Sequence, residues 1–290
     1  MPPPPRHPKD SPPRGPRPPE PRSPDERASE ARLPDRASGP RPYRGKPVAR
    51  PDKPPLRLQT TTLWDYPSQH YGRGMQGDAR YVGATPSYIP WNLIQRYTRE
   101  GDLVVDPMCG SGTTLDVCKD TNRRGRGFDV KPFRPDIEAA DARKLPLETG
   151  SARLVFVDPP YGDHIDYSDD PRCIGKLSAY DPRFYVEMGK VLAECARVLA
   201  PGGHFGLYVC DYFEKQKGIA CVGFELFALA AQHLRPVDVI AVTRHHKSLS
   251  QGNYHRGAEE GNFFLRGFNY LFLLKKPDHE KAPTPPARRR

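Results

Sequence analysis

Val104-Val105-Asp106-Pro107-Met108-Cys109-Gly110-Ser111-Gly112-Thr113-Thr114 is an apolar run that stops at a carboxylate, crosses two closely spaced glycines and enters a helix-like stretch. It reads as a strand, a tight turn and a helix. Glycines at 110 and 112 let the backbone take positive φ and approach a ligand closely, while Thr113 and Thr114 suit the start of a helix running through Cys118. Such a turn lies at the carboxyl end of a parallel strand, where open α/β sheets bind their ligands. A second signal of the same form follows 52 residues after Asp106, where Val155-Phe156-Val157 ends in Asp158-Pro159-Pro160-Tyr161.

Working outward, the first 56 of the 290 residues hold 19 of the 36 prolines and almost no aliphatic side chains. Such a segment buries too little apolar surface to offset chain entropy. Residues 1–56 and 277–290 are therefore expected to be disordered tails, leaving 57–276 as one domain with a sizeable core. The net charge of +10 is unevenly spread: residues 1–56 carry 13 Lys/Arg against 7 Asp/Glu, residues 275–290 carry 6 against 2, and the span between holds 26 of each. The basic excess thus sits in the ends, as a phosphate-contacting arm or a solubilising tail, and composition leaves both open. Six cysteines form no C-x-x-C pair and no even framework, so neither zinc nor structural disulfides are expected, and no metal site is assigned. With no apolar run near the length of a membrane span and no apolar core of a signal peptide, the sequence reads as cytoplasmic.

The two turns together resemble the amino-group methyltransferases that use S-adenosylmethionine, above all the DNA adenine-N6 and cytosine-N4 methylases. In that family a D-P-x-x-G-S-G-T-T turn holds the cofactor and a [DNS]-P-P-[YFW] turn holds the amine to be methylated. Both patterns stand here, as Asp106 to Thr114 and Asp158 to Tyr161. The resemblance covers about Trp64 to Lys276 and implies a doubly wound, Rossmann-like α/β sheet of seven strands, mostly parallel with an antiparallel final strand. It implies S-adenosylmethionine as cofactor, held by Asp106, Pro107, Met108, Gly110, Ser111, Gly112 and Thr113. It gives Asp158, Pro159, Pro160 and Tyr161 the catalytic role, and it implies a nucleic-acid substrate, DNA in preference to RNA.

Further elements fit this frame. Thr85-Pro86, ahead of a helical pattern over Trp91 to Thr98, is similar to the family's corner near the methionine end of the cofactor. Arg126 to Val130 reads as a strand ending in a carboxylate, and Asp129, 23 residues beyond Asp106, is placed to take the ribose hydroxyls of an adenosyl group. Asp141 resembles the carboxylate that faces the adenine amine. After the second turn comes an acidic loop, 162–175, with Tyr167 as a substrate contact. Arg183 to Leu199 has a helical pattern stopped by Pro201-Gly202-Gly203, followed by a strand at His204 to Val209, a helix at Phe224 to Leu234 and strands at Val237 to Val242 and Phe268 to Leu274. Between the last two strands, basic and aromatic residues interleave in a long loop: Arg244, His245, Lys247 and Phe263 are the candidate contacts to phosphate and unstacked bases.

Guanine-N2 methylases of RNA share the Asp-Pro-Pro-Tyr signature and protein-glutamine methylases use a close relative with Asn first, so an RNA guanine-N2 or adenine-N6 methyltransferase is one alternative and a catalytically silent scaffold that binds nucleic acid is another; oligomeric state is not legible. One expectation tests the tail directly. Removal of residues 1–56 should leave folding and cofactor affinity intact while weakening polyanion binding and flattening its salt dependence, measured by fluorescence anisotropy over a salt series.

Overall fold

Buried on both faces, strands of a parallel sheet alternate between two cores rather than between core and water, and the central strands here do so. A computed structural model describes residues 55–163, 165–245 and 249–278. The tails expected at 1–56 and 277–290 lie outside these apart from their inner ends, where Leu56 packs against the core.

The strands are β1 (Leu63–Trp64), β2 (Leu103–Asp106), β3 (Arg124–Asp129), β4 (Glu138–Ala139), β5 (Ala152–Val157), β6 (Leu199–Val209), β9 (Arg235–Thr243) and β10 (Phe268–Lys275), with a separate hairpin of β7 (Tyr212–Glu214) and β8 (Gly218–Ala220). The helices are α1 (Tyr88–Tyr97), α2 (Thr113–Asp120), α3 (Pro182–Val198), α4 (Val222–Ala231) and α5 (Gly252–Glu260). The main sheet runs β1-β9-β10-β6-β5-β2-β3-β4, parallel throughout except for β10, which is antiparallel to both β9 and β6. From β2 the chain moves outward to β3 and β4, then returns to β5 on the other side of β2. The gap between the carboxyl ends of β2 and β5 is therefore the topological switch point, the usual ligand crevice of such sheets.

Successive residues of each central strand feed opposite layers. Val104, Leu154, Phe156 and Leu271 pack with Ile89, Leu93 and Ile94 of α1 and Val117 of α2. Val105, Val155, Val157 and Phe272 pack with Phe184, Met188 and Leu192 of α3 and Leu226 of α4. Gly206 lets α1 settle onto β6, since a Cβ there would lie 2.5 Å from Leu93 Cδ1.

Several expectations need correction. The sheet has eight strands among the described residues, because the aromatic stretch adds β1, paired in parallel with β9 and anchored by the buried Trp64 and Tyr66. Pro201-Gly202-Gly203 does not interrupt the chain ahead of a strand at 204. Helix α3 already ends at Val198 and β6 runs through these residues, with Gly202 at φ +71°. The long loop after β9 contains α5, and the β7–β8 hairpin was not foreseen.

Candidate active site

Asp106 ends β2 and is buried. Its Oδ1 accepts the Met108 N–H (3.1 Å) and its Oδ2 accepts the Thr114 hydroxyl (2.6 Å), so the carboxylate ties the glycine turn to the first turn of α2. Gly110 and Gly112 have φ +47° and +80°. These values aim the Gly110 N–H at Asp129 Oδ2 (3.2 Å), while the other Asp129 oxygen accepts the Lys131 N–H (3.0 Å). The ends of β2 and β3 are thereby bound to each other through a backbone donor and a carboxylate.

Across the switch point, Asp158 follows β5. Its Oδ2 accepts the Thr85 hydroxyl and its Oδ1 the Tyr161 hydroxyl, both at 2.6 Å. Thr85, expected near the methionine end of the cofactor, thus bonds the carboxylate of the second turn and lines the cleft. Two donors on separate oxygens fix the plane of the carboxylate. Asn269 Nδ2 in turn donates to the Tyr161 oxygen at 3.4 Å.

Both turns open into one cleft of about 1070 Å³. Pro86, Pro107, Met108, Gly110, Ser111, Asp129, Asp141, Pro159, Pro160, Tyr161, Tyr167, Arg244, His245 and Phe263 line it together with Thr85 and Asp158. Asp106, Gly112 and Thr113 do not reach the wall. Thr113 shares a hydrogen bond with Ser111 Oγ (2.8 Å) beneath the turn, and these three residues shape the cradle from behind. Asp141 is gripped by Arg143 through both oxygens. Burial raises its carboxyl, but the bonds to Arg143 outweigh that and leave it below the usual range. His245 is held by Asp65 at 2.6 Å, and Arg244 Nη1 donates to Cys210 Sγ at 3.3 Å. Lys247 lies outside the described residues.

Several cleft residues escaped the sequence reading. Tyr81 lies against the glycine turn so closely that a Cβ on Gly110 would fall 2.8 Å from its ring, and it stacks on Tyr167 with centroids 6.2 Å apart. Phe133 meets it edge-on at 5.3 Å. Asn269 had a usable signal, a lone polar residue inside the apolar strand Phe268 to Leu274. It is buried, and among the described residues neither its Oδ1 nor Arg266 Nε on the same cleft has a hydrogen-bond partner. Two polar atoms without partners mark a wall built for a polar ligand.

Asp106, Asp129 and Asp158 close three adjacent strand ends, and none forms an ion pair among the described residues. Burial pushes Asp106 and Asp158 up to about 7 against the pull of their hydroxyl and backbone donors, and it raises Asp129 as well. Asp158 is half-buried, and its exposed part faces the cleft. No group of three or more His, Cys, Asp or Glu among the described residues is arranged to hold a metal ion, and no described helix is long and apolar enough to cross a membrane.

The strand order and the paired turns at the switch point define the class: a doubly wound α/β fold with one ligand crevice at the ends of β2 and β5. Residues 26–138 match a family model described as DNA methylase. That stretch is 113 of the 290 residues; it includes the glycine turn and Asp129 and stops short of Asp158. The type II methyltransferase M.HpaI of Haemophilus parainfluenzae is 33% identical over 70 residues, or 24% of this chain and 22% of that protein, so the chain spans about a fifth of that relative's length. Among solved structures, a methyltransferase of Methanosarcina mazei is 14% identical over 64% of this chain and 98% of its own, with a TM-score of 0.40. The 1,6-didemethyltoxoflavin-N1-methyltransferase of Burkholderia thailandensis is 16% identical over 66% and 78%, with a TM-score of 0.43.

The raised carboxyls predict a pH effect on stability. A carboxyl that titrates near 4 unfolded and near 7 folded keeps its proton more tightly in the native state, so stability falls as pH rises from about 4 to about 7 and is level above. Asp158→Asn removes one such group. In urea titrations across pH 4 to 8 the variant should gain on the wild type by at least about 1 kcal/mol at the upper end; parallel pH profiles would contradict the assignment.

Proposed function

We propose that the protein transfers a methyl group from S-adenosylmethionine to an exocyclic amine of a nucleobase in DNA, adenine N6 or cytosine N4, and that it does so in the cytoplasm. The observation that carries this reading is the Asp158 carboxylate, fixed by Thr85 and Tyr161 in the same cleft as the glycine turn and Asp129. Three carboxylates without cationic partners suit a ligand that is itself a cation. In this reading Asp129 takes the ribose hydroxyls with its remaining lone pairs, Met108 to Ser111 allow close backbone approach, and Asp141 faces the adenine. Bound there, the cofactor supplies a methyl group already activated by a sulfonium centre.

An exocyclic amine is a poor nucleophile because its lone pair is delocalised into the ring. The Asp158 carboxylate and the Pro159 carbonyl accept its two hydrogens, drawing density onto nitrogen and directing the lone pair across the cleft. Proline at 159 and 160 removes competing N–H donors and stiffens the turn. As nitrogen becomes positive it sheds a proton. Asp158, with its carboxyl near 7, is matched to receive that proton at neutral pH. Tyr161 and Tyr167 offer rings to the base, which leaves the duplex stack to reach the cleft. Arg244, His245 and Lys247 serve the backbone or neighbouring bases.

Two predictions separate binding from chemistry. Asp129→Ala should weaken S-adenosylmethionine binding by about 1.5–3 kcal/mol in calorimetry, the range for hydrogen bonds to charged groups. Unchanged affinity would remove Asp129 from the cofactor site. Asp158→Ala should abolish transfer with cofactor binding within a few-fold of wild type, and Asp158→Asn, which keeps an acceptor oxygen without the charge, should retain transfer lowered by about 10²–10³. Wild-type single-turnover rates in both variants would refute the assignment of this turn.

A further inference from the structure

Phe263 and Phe264 are adjacent in the chain but point to different environments. Helix α5 ends at Glu260, Gly261 donates its N–H to the Gly257 carbonyl at 3.0 Å, and Asn262 takes a left-handed φ of +50°. The Phe263 N–H then returns to the Ala258 carbonyl at 3.0 Å, so a hydrogen-bonded helix-ending turn fixes the exit of the chain. Phe263 turns inward onto Phe213 of β7, with ring centroids 5.5 Å apart and planes 21° from parallel. Phe264 turns outward and is 84% exposed, more than any other large hydrophobic residue among those described. Arg266 holds it there. Its Nη2 donates to the Phe264 carbonyl at 2.7 Å while its guanidinium stands 5.7 Å from the Phe213 ring.

A lone exposed phenyl is ordinary on a protein surface. This one belongs to the wall of the cleft that contains Asp158, on a braced backbone, with Arg244 and Arg266 in the same wall. We propose that Phe264 is a wedge that enters a DNA duplex and fills the gap left when the target base swings out. The inference rests on the reading of the site as a DNA amine methylase and adds how that site takes a duplex. Extrusion leaves two base pairs with an empty step between them. A flat apolar ring restores part of the lost stacking, as apolar side chains do in proteins that pry base steps apart. The two guanidinium groups supply the charge that a phosphate backbone requires and that a docking protein would not.

The test follows radiolabelled methyl transfer from S-adenosylmethionine to unmethylated bacteriophage DNA, as native duplex and as heat-denatured strands, for wild type, Phe264→Ala and Phe264→Trp. Denatured strands have no paired duplex to open, and their residual stacking is weak. Phe264→Ala should lose roughly tenfold or more in kcat/KM on duplex yet stay within about twofold of wild type on denatured strands, with Phe264→Trp restoring most of the duplex rate and cofactor affinity unchanged. Equal losses on both forms would overturn the wedge, as would a wild type inert on denatured strands. Full duplex activity in Phe264→Ala would overturn it too and assign the phenyl to contact with a protein. Wild-type protein that methylates neither form would instead refute the DNA reading itself, and the wedge with it.

Discussion

Three parallel strands end side by side in carboxylates, and the site depends on how those carboxylates are satisfied without neutralising them. Asp106 is met by a backbone N–H and a threonine hydroxyl, Asp129 by two backbone N–H groups, and Asp158 by two hydroxyls. A lysine or arginine at any of the three would have lowered that carboxyl and held it as an inert ion pair, as Arg143 does to Asp141. Dipolar partners orient the oxygens and leave the charge available. Burial raises all three carboxyls, and at Asp106 the neighbouring Asp158 and Asp129 add a smaller push in the same direction.

The geometry that brings them together is a consequence of topology. Because β5 returns beside β2 after the excursion to β3 and β4, turns distant in sequence share one crevice. The antiparallel β10, inserted between β6 and β9, delivers Asn269 to the same wall and, just before it, Phe264 and Arg266. The stretch ahead of α1 closes the other side. Thr85 braces Asp158, and Tyr81 leans on the glycine turn.

Much of this was legible in the residues. The strands ahead of Asp106 and Asp158 announce themselves through apolar runs that stop at a charge, the strand ending at Asp129 is marked by little more than Phe128 and its spacing from Asp106, and the switch-point location follows from a glycine turn after a parallel strand. Local patterns could not show which side chain meets which. Thr85 and Pro86 were read as a corner near the methionine end of the cofactor, and no local pattern shows that the Thr85 hydroxyl bonds a carboxylate 73 residues away. Tyr81 reads as one more docking aromatic among several, and only packing separates it from Trp64, which is buried in the core. The 244–266 stretch gave its basic and aromatic composition but hid α5, whose few apolar residues carry a weak helical signal.

The acceptor atom of the methyl group distinguishes an amine methylase from every other kind. Purified protein incubated with S-adenosylmethionine and unmethylated genomic DNA, and in parallel with RNA, followed by nucleoside mass spectrometry, reads this directly. The predicted result is N6-methyladenine or N4-methylcytosine in the DNA. Methylation only at a ring carbon, as in 5-methylcytosine, or only in RNA, would contradict it.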